Sequence, residues 1–258
     1  MTKSLITLDK DGHIAWLTIN RPERKNALNI DMWRAIPPLV RRAEQDPEIR
    51  ILILRSASDS VFCAGADISE FDLLIRDTRA RDLNRRAIRA ACKALEDFPG
   101  PTIAMIQGPC VGGGCILALC CDLRFGDEKS RYGITPAKLG LVYGLSDTRR
   151  LLDQVGPAAA RDILFSARII DARRAQALGL VNDIFAPDSL EREVRAYAGR
   201  LMQNSSHSLR EIKKTIRRIE EGIREDDEQS EKIFIDAFDG ADHREGVDAF
   251  LNKRKPDY

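Results

Sequence analysis

A chain of 258 residues, 43% hydrophobic and 31% charged, has the length for one large domain or a domain with an appendage, which excludes a disordered or fibrous protein. Its formal net charge of +1 gives no global field to recruit nucleic acid or an anionic membrane, and no apolar stretch approaches the ~20 residues of a membrane span. Six cysteines sit mostly within apolar runs, without paired ligand spacing and with only three histidines to help them, so they read as buried thiols of a reducing compartment and no metal is expected. Met1 to Ser4 lead straight into a strand pattern with no apolar signal core, and a cytoplasmic enzyme is the expectation.

In chain order, residues 6–8 and 14–19 alternate around Asp11-Gly12, a hairpin signal. Asn29 or Asp31 offers a cap for a helix carrying Met32, Trp33, Ile36, Leu39 and Val40, which Pro37-Pro38 is expected to kink. Residues 51–54 form a buried strand that delivers the chain to Val61-Phe62-Cys63-Ala64-Gly65-Ala66-Asp67-Ile68. Over 69–98 Leu83, Ile88, Ala91, Cys92 and Leu95 share a helical face, and Arg79, Arg81, Arg85, Arg86 and Arg89 read as its solvated side rather than as a phosphate clamp.

An apolar strand over 103–106 then feeds the three glycines at 112–114, after which small and apolar residues continue at helical spacing. Short strands follow at 123–125 and 131–133, then a Gly- and Pro-rich loop from Ile134 to Gly144, with Ser146 or Asp147 as cap of a helix through Leu152. Beyond Pro157 the pattern is helical over 158–165 and again after Asp171 until Gly179, with a short strand over 180–185. Residues 189–258 read as three further amphipathic helices parted at Ser205-Ser206 and at Gly240, whose apolar faces must be buried somewhere.

Two of these turns share a character. Each ends an apolar strand, each opens where a helix can start, and each is made of residues so small that the backbone is accessible. Two such turns can aim N–H groups at one oxygen, the arrangement that stabilises charge developing on a thioester or other carbonyl oxygen.

At this point the chain resembles the crotonase (enoyl-CoA hydratase/isomerase) superfamily. The resemblance rests on Asn20-Arg21-Pro22 with Asn26-Ala27-Leu28-Asn29, on Ala64-Gly65-Ala66-Asp67, and on the triple glycine. It continues through Ala175 with Gly179-Leu180-Val181-Asn182, Glu245-Gly246, Ala249-Phe250-Leu251 and Lys253-Arg254-Lys255-Pro256. It implies an α/β fold, a spiral of repeated ββα units over residues 1–194, with a C-terminal helical segment over 195–258 that makes a homotrimer or a dimer of trimers. It also implies an acyl-CoA substrate, with coenzyme A entering as part of the substrate and no separate cofactor. The oxyanion donors would be the N–H groups of Ala66 and Gly113. The nucleotide and pantetheine would be met by Lys25, Ala27, Ala64, Ala66, Asp67, Ile68, Ser69, Gly112, Gly113, Leu141, Phe250 and Lys253.

The hydratases of this family share acid and base work between two glutamates. Here the first position holds Ile116, and the second holds Pro136, or Ala137 if the prolines are matched instead. From Gly108 to Cys121 and from Lys129 to Ser146 there is no Asp or Glu at all, so no shift of register restores the pair. The second loop offers the hydroxyls of Thr135 and Tyr143, with Lys138 nearby, and its pattern looks like that of the methylmalonyl-CoA decarboxylase branch, whose tyrosine orients a carboxylate. Decarboxylation of a β-carboxy acyl-CoA is therefore favoured, since it leaves an enolate without any base removing a proton. The alternatives are a hydratase or isomerase that recruits Asp147 or Glu70, and a relative that binds CoA thioesters without catalysis. Among other acids, Asp67 and Asp122 are expected to brace turns, and Asp72 lies beside Glu70.

Overall fold

The computed structural model describes residues 4–258. The described chain divides into two compact units, one holding residues up to Phe98 together with Thr102–Val194, the other holding Pro99–Pro101 with Arg195–Tyr258.

The first unit is built on two sheets. β1 (Ile6–Asp11) and β2 (Ile14–Ile19) form the expected antiparallel hairpin around Gly12, whose φ of +57° suits a glycine. β2 then pairs in parallel with β3 (Ile51–Ser56), β3 with β4 (Thr102–Ile106), β4 with β6 (Leu123–Asp127) and β6 with β9 (Asp183–Phe185), giving six strands in the order β1-β2-β3-β4-β6-β9. β2 and β4 are buried at every position; for β2 this corrects the alternation read over 14–19, since a parallel neighbour and packing on both faces leave it no solvent side. A second sheet, β5-β7-β8, joins Pro109–Val111, Arg131–Gly133 and Ile169–Asp171. In the units β4-β5-α4 (helix Gly113–Leu119) and β6-β7-α5 (helix Leu145–Ser166), the first strand enters the large sheet and the second the small one. This is the repeated ββα winding.

Helix α1 (Ile30–Glu44) is capped by Asn29, whose side chain accepts from Met32 N–H, and it runs on through Pro37 and Pro38 because Met32, Trp33, Ile36, Val40 and Ala43 all bury one face. The single helix read over 69–98 is instead a 3-10 turn followed by α2 (Phe71–Arg76) and α3 (Thr78–Asp97), parted at Asp77, which caps α3 through Arg79 and Ala80 N–H. The five arginines of α3 are exposed, as a solvated face requires. Helix α5 starts at Leu145 with Gly144 as its cap, not at Ser146 or Asp147, and continues across a break at Gly156 (φ 74°) to Ser166. Asp171 caps α6 (Ala172–Ala177) through Arg174 N–H.

The boundary between the units falls inside α7 (Leu190–Leu201). The tail carries four helices rather than three: α7, α8 (Ser206–Glu220), α9 (Glu228–Phe238) and α10 (Ala241–Leu251). The missed division lies at 221–227, where Asp227 and Ser230 form a reciprocal capping box. An acidic stretch hid it, because its charges continue the polar face of the helix before it.

Candidate active site

Three loops of the first unit are stitched together by backbone hydrogen bonds. Cys63 N–H donates to Pro109 O (3.0 Å) and Val111 N–H to Cys63 O (2.9 Å), so the first turn lies alongside β5. Gly112 N–H donates to Gly133 O (2.8 Å), tying the second turn to β7. Leu28 N–H donates to Gly65 O (2.7 Å) and Asp67 N–H to Leu28 O (2.9 Å). Residues alternate sides along an extended segment, so this bracketing turns the N–H of Ala66 away from Leu28.

Gly113 is the first residue of α4, where a helix has no internal acceptor for its N–H. Neither Ala66 N–H nor Gly113 N–H engages a backbone acceptor among the described residues. The two turns also touch. A Cβ on Gly65 would sit 3.5 Å from Gly113 N, and one on Gly113 would sit 3.5 Å from Gly65 C. Two unengaged N–H groups in adjoining turns, one of them at a helix N-terminus, are an arrangement that can receive one negatively charged oxygen.

The glycines are required by this closeness. Gly65 (φ +103°) and Gly112 (φ +51°, ψ −111°) adopt backbone conformations that a side chain resists. A Cβ on Gly114 would lie 2.7 Å from Cys63 Cβ and 2.9 Å from Cys63 O. Cys63 is therefore a spacer, and burial pushes its thiol up to about 12. All six cysteines are buried and joined in no disulfide, and Cys115 donates to Cys110 O (2.9 Å). No three His, Cys, Asp or Glu residues among those described gather as a metal-ligand set.

Ile116 is buried in α4, and Pro136 and Thr135 open a 3-10 turn. Thr135 accepts Lys138 N–H through its backbone and makes no side-chain cap. Tyr143 donates from Oη to Gly112 O at 3.0 Å, holding the carbonyl end of the peptide whose other end is the Gly113 N–H. Burial pushes its hydroxyl well above the usual tyrosine range, so it stays protonated. Lys25 is exposed in a left-handed conformation (φ 52°), and its carbonyl accepts Ala64 N–H (3.0 Å), which places the two together. Ala64, Ala66, Ile68 and Ser69 are exposed on the first turn, Leu141 is exposed on the loop after Pro136, and Ala27 lends its carbonyl to Arg21. Phe250 and Lys253 belong to the second unit, and both are exposed.

The acids sort themselves by their partners. Asp67 accepts from Ser69 N–H and Oγ and pairs with Arg21 at 2.5 Å; Ser69 first and Arg21 next hold its carboxyl down at about 2. Asp122 accepts from Thr102 N–H and Oγ1, bracing β4 to β6. Glu70, a candidate acid in the sequence, is committed to the N-terminus of α1, where its oxygens accept Ile30 N–H at 3.1 and 3.3 Å. Asp147 lies in the first turn of α5 without a capping bond and pairs with Arg150 at 2.7 Å.

Sequence reasoning gave Asn26 no task. The structure buries it fully, with Nδ2 donating to Ser56 Oγ, Val61 O and Phe62 O while Oδ1 accepts Arg21 N–H. It locks the loop of Lys25 onto the loop of Ala66. No local signal marked this role, because its left-handed backbone (φ 55°) is set by the fold and its Nδ2 acceptors lie 30 to 36 residues further on.

The sequence profile of the enoyl-CoA hydratase/isomerase family matches residues 9–258. The chain is 35% identical over 257 residues to a protein of Syntrophomonas wolfei named crotonyl-CoA hydratase, covering 98% of this chain and 97% of the other. Among solved structures, an enoyl-CoA hydratase/isomerase family protein from Hyphomonas neptunium superposes with a TM-score of 0.96 at 40% identity, covering 99% of this chain and 97% of that one. An enoyl-CoA hydratase/carnithine racemase from Magnetospirillum magneticum does so with a TM-score of 0.94 at 36% identity, over 100% of this chain and 96% of that one.

Proposed function

The chain belongs to the enoyl-CoA hydratase/isomerase family, and from that premise we propose that it removes carbon dioxide from a β-carboxy acyl-CoA, with the thioester enolate held by the N–H groups of Ala66 and Gly113. What supports this reading is the pair of unengaged N–H groups in adjoining turns, together with the lack of any Asp or Glu from Gly108 to Cys121 and from Lys129 to Ser146, where the resemblance implies a hydratase's two glutamates. In the proposed reaction the C–C bond to the carboxyl group breaks, carbon dioxide leaves without the bonding pair, and that pair becomes the enolate. A proton then reaches the α-carbon and regenerates a neutral acyl-CoA. Apolar groups such as Ile116 raise the energy of the substrate carboxylate and favour its departure as a neutral gas. Enolate stabilisation by backbone N–H groups asks for no cofactor beyond the coenzyme A of the substrate.

A second reading is hydration or isomerisation with a non-standard acid. The relative named crotonyl-CoA hydratase favours it, and Asp147 is the acid left for it once Glu70 is committed to α1. Mass spectrometry on a panel of CoA thioesters separates the readings. Malonyl-CoA or methylmalonyl-CoA losing carbon dioxide is the expected result. Water added to crotonyl-CoA with no carbon dioxide released would replace decarboxylation by hydration, and no turnover on any thioester would leave a binding protein.

A further inference from the structure

Gly112 and Gly113 share one planar, trans peptide, so the Gly113 N–H and the Gly112 carbonyl point to opposite sides of it. Whatever holds the carbonyl aims the N–H. With a glycine on each side, no Cβ resists rotation of this peptide, and at Gly112 the backbone already stands at φ +51° and ψ −111°. Its orientation is therefore set by hydrogen bonds rather than by sterics.

Gly112 O accepts two of them. Ile116 N–H reaches it at 3.1 Å as the first bond of α4, and Tyr143 Oη reaches it at 3.0 Å. A carbonyl oxygen has two lone pairs, so this one is fully engaged. The Tyr143 bond is the one that comes from outside α4. The Tyr143 ring packs against the buried core, and the next residue, Gly144, caps α5 and accepts Thr148 N–H at 2.8 Å. The hydroxyl is thus presented from a fixed point on a second element.

A phenol carries one hydrogen, and here it is directed at Gly112 O. A tyrosine orienting a substrate carboxylate, the role the branch resemblance implies, needs that same hydrogen. Burial pushes the hydroxyl well above the usual tyrosine range, so it remains a donor.

We propose that Tyr143 is a positioning residue for the oxyanion pair, its hydroxyl fixing the plane of the Gly112–Gly113 peptide and strengthening the Gly113 N–H as a donor to the thioester oxygen. Hydrogen bonds in series polarise one another, and more so away from water: charge drawn toward Gly112 O leaves the N–H at the other end of the peptide more positive. The proposal rests on the Ala66 and Gly113 N–H groups being the oxyanion donors. It does not rest on the loss of carbon dioxide, and its test needs no turnover.

The test is infrared spectroscopy of acetyl-CoA, labelled with heavy carbon at the thioester carbonyl and bound to the full chain. Donors at the carbonyl oxygen lower its stretching frequency, so the wild type is expected to move the band below its position in buffer. Tyr143→Phe keeps the ring and loses the hydroxyl. It is expected to bind acetyl-CoA but to give back part of that downshift, and on any thioester the wild type turns over to lose roughly 10- to 10²-fold in kcat with KM little changed. Tyr132→Phe deletes another buried hydroxyl, one that donates to Ser130 Oγ at 3.0 Å, and is expected to leave the band in place.

A wild-type band in Tyr143→Phe, or an equal change in Tyr132→Phe, would overturn the assignment. So would weaker binding of malonyl-CoA with the acetyl-CoA band unmoved, which is what a tyrosine bound to a carboxylate predicts. If Tyr143→Phe does not fold, Tyr132→Phe protein made with fluorinated tyrosine decides: the more acidic hydroxyl should deepen the downshift, and an unmoved band counts against the role. Wild type that shows no downshift with acetyl-CoA would remove the oxyanion pair, and the role of Tyr143 with it. Failure to release carbon dioxide would count against the decarboxylase reading alone.

Discussion

At the scale of single residues, the proposed oxyanion pocket depends on positions with no side chain. Gly112→Ala must hold a Cβ at φ +51° and ψ −111°, a strain of ~1–3 kcal/mol, and Gly114→Ala must push Cys63 aside. Both variants are expected to lose thioester turnover by roughly 10²-fold or more while circular dichroism stays native, because a shift of a few tenths of an ångström misaims Gly113 N–H. Full activity in either would remove the rigid pocket from the account. Lys25→Ala is expected to weaken acetyl-CoA binding by about tenfold in calorimetry, from the loss of a cation that can pair with phosphate. Asp67 makes a pH statement with a definite sign. Its folded carboxyl, near 2, lies below the unfolded value, so its contribution is present above that unfolded value and is lost as pH falls toward 2. Asp67→Asn should cost about 1–2 kcal/mol in urea unfolding at neutral pH, and the difference from wild type should shrink below about pH 4. A constant difference across that range would assign the cost to something other than the charge.

At the scale of elements, what was legible followed local signals. The Asp11-Gly12 hairpin, the buried strands, the Asn29 and Asp171 caps and the triple glycine at the head of α4 each announce themselves within a few residues. What was not legible depended on distant partners. β5 and β8 are three residues each and exist because β7 lies between them, so no periodicity marks them. Glu70 looked available until Ile30 N–H, forty residues earlier, was seen to hold it, and Asp147 looked like a cap until Gly144 took that place. The apolar face of α4 makes its own prediction. Ile116→Glu buries a carboxyl, so its pKa should rise or the fold should weaken, and the variant should gain little hydratase activity on crotonyl-CoA. Adding Pro136→Glu supplies the second group, and only the double variant is expected to add water measurably, since water activation and proton delivery are separate tasks. A fast single variant would mean that an acid already in place completes the hydratase pair.

At the scale of the whole molecule, the helical tail leaves apolar surface on a lone chain. Phe234, Phe238, Phe250 and Leu251 are each more than 60% exposed, and the first two with Val247 and Tyr258 line a groove of about 790 Å³ within the second unit. On α8, Ile212, Ile216 and Ile219 follow one another at helical spacing and are all about half exposed. Such faces are rarely left to water, so a homotrimer or a dimer of trimers is the expected state, and light scattering that reports a monomer at micromolar concentration would contradict it. On this expectation the tail is given to assembly, while Ala66, Gly113 and Tyr143 all belong to the first unit. The central claim is that two backbone N–H groups hold a thioester enolate generated by loss of carbon dioxide. Its most direct test is mass spectrometry of malonyl-CoA and methylmalonyl-CoA incubated with the purified full-length chain, beside a Gly113→Pro control that lacks one N–H donor. The account predicts acetyl-CoA and propionyl-CoA from the wild type and unchanged substrate from the control. Unchanged β-carboxy thioesters together with hydrated crotonyl-CoA from the wild type would contradict it.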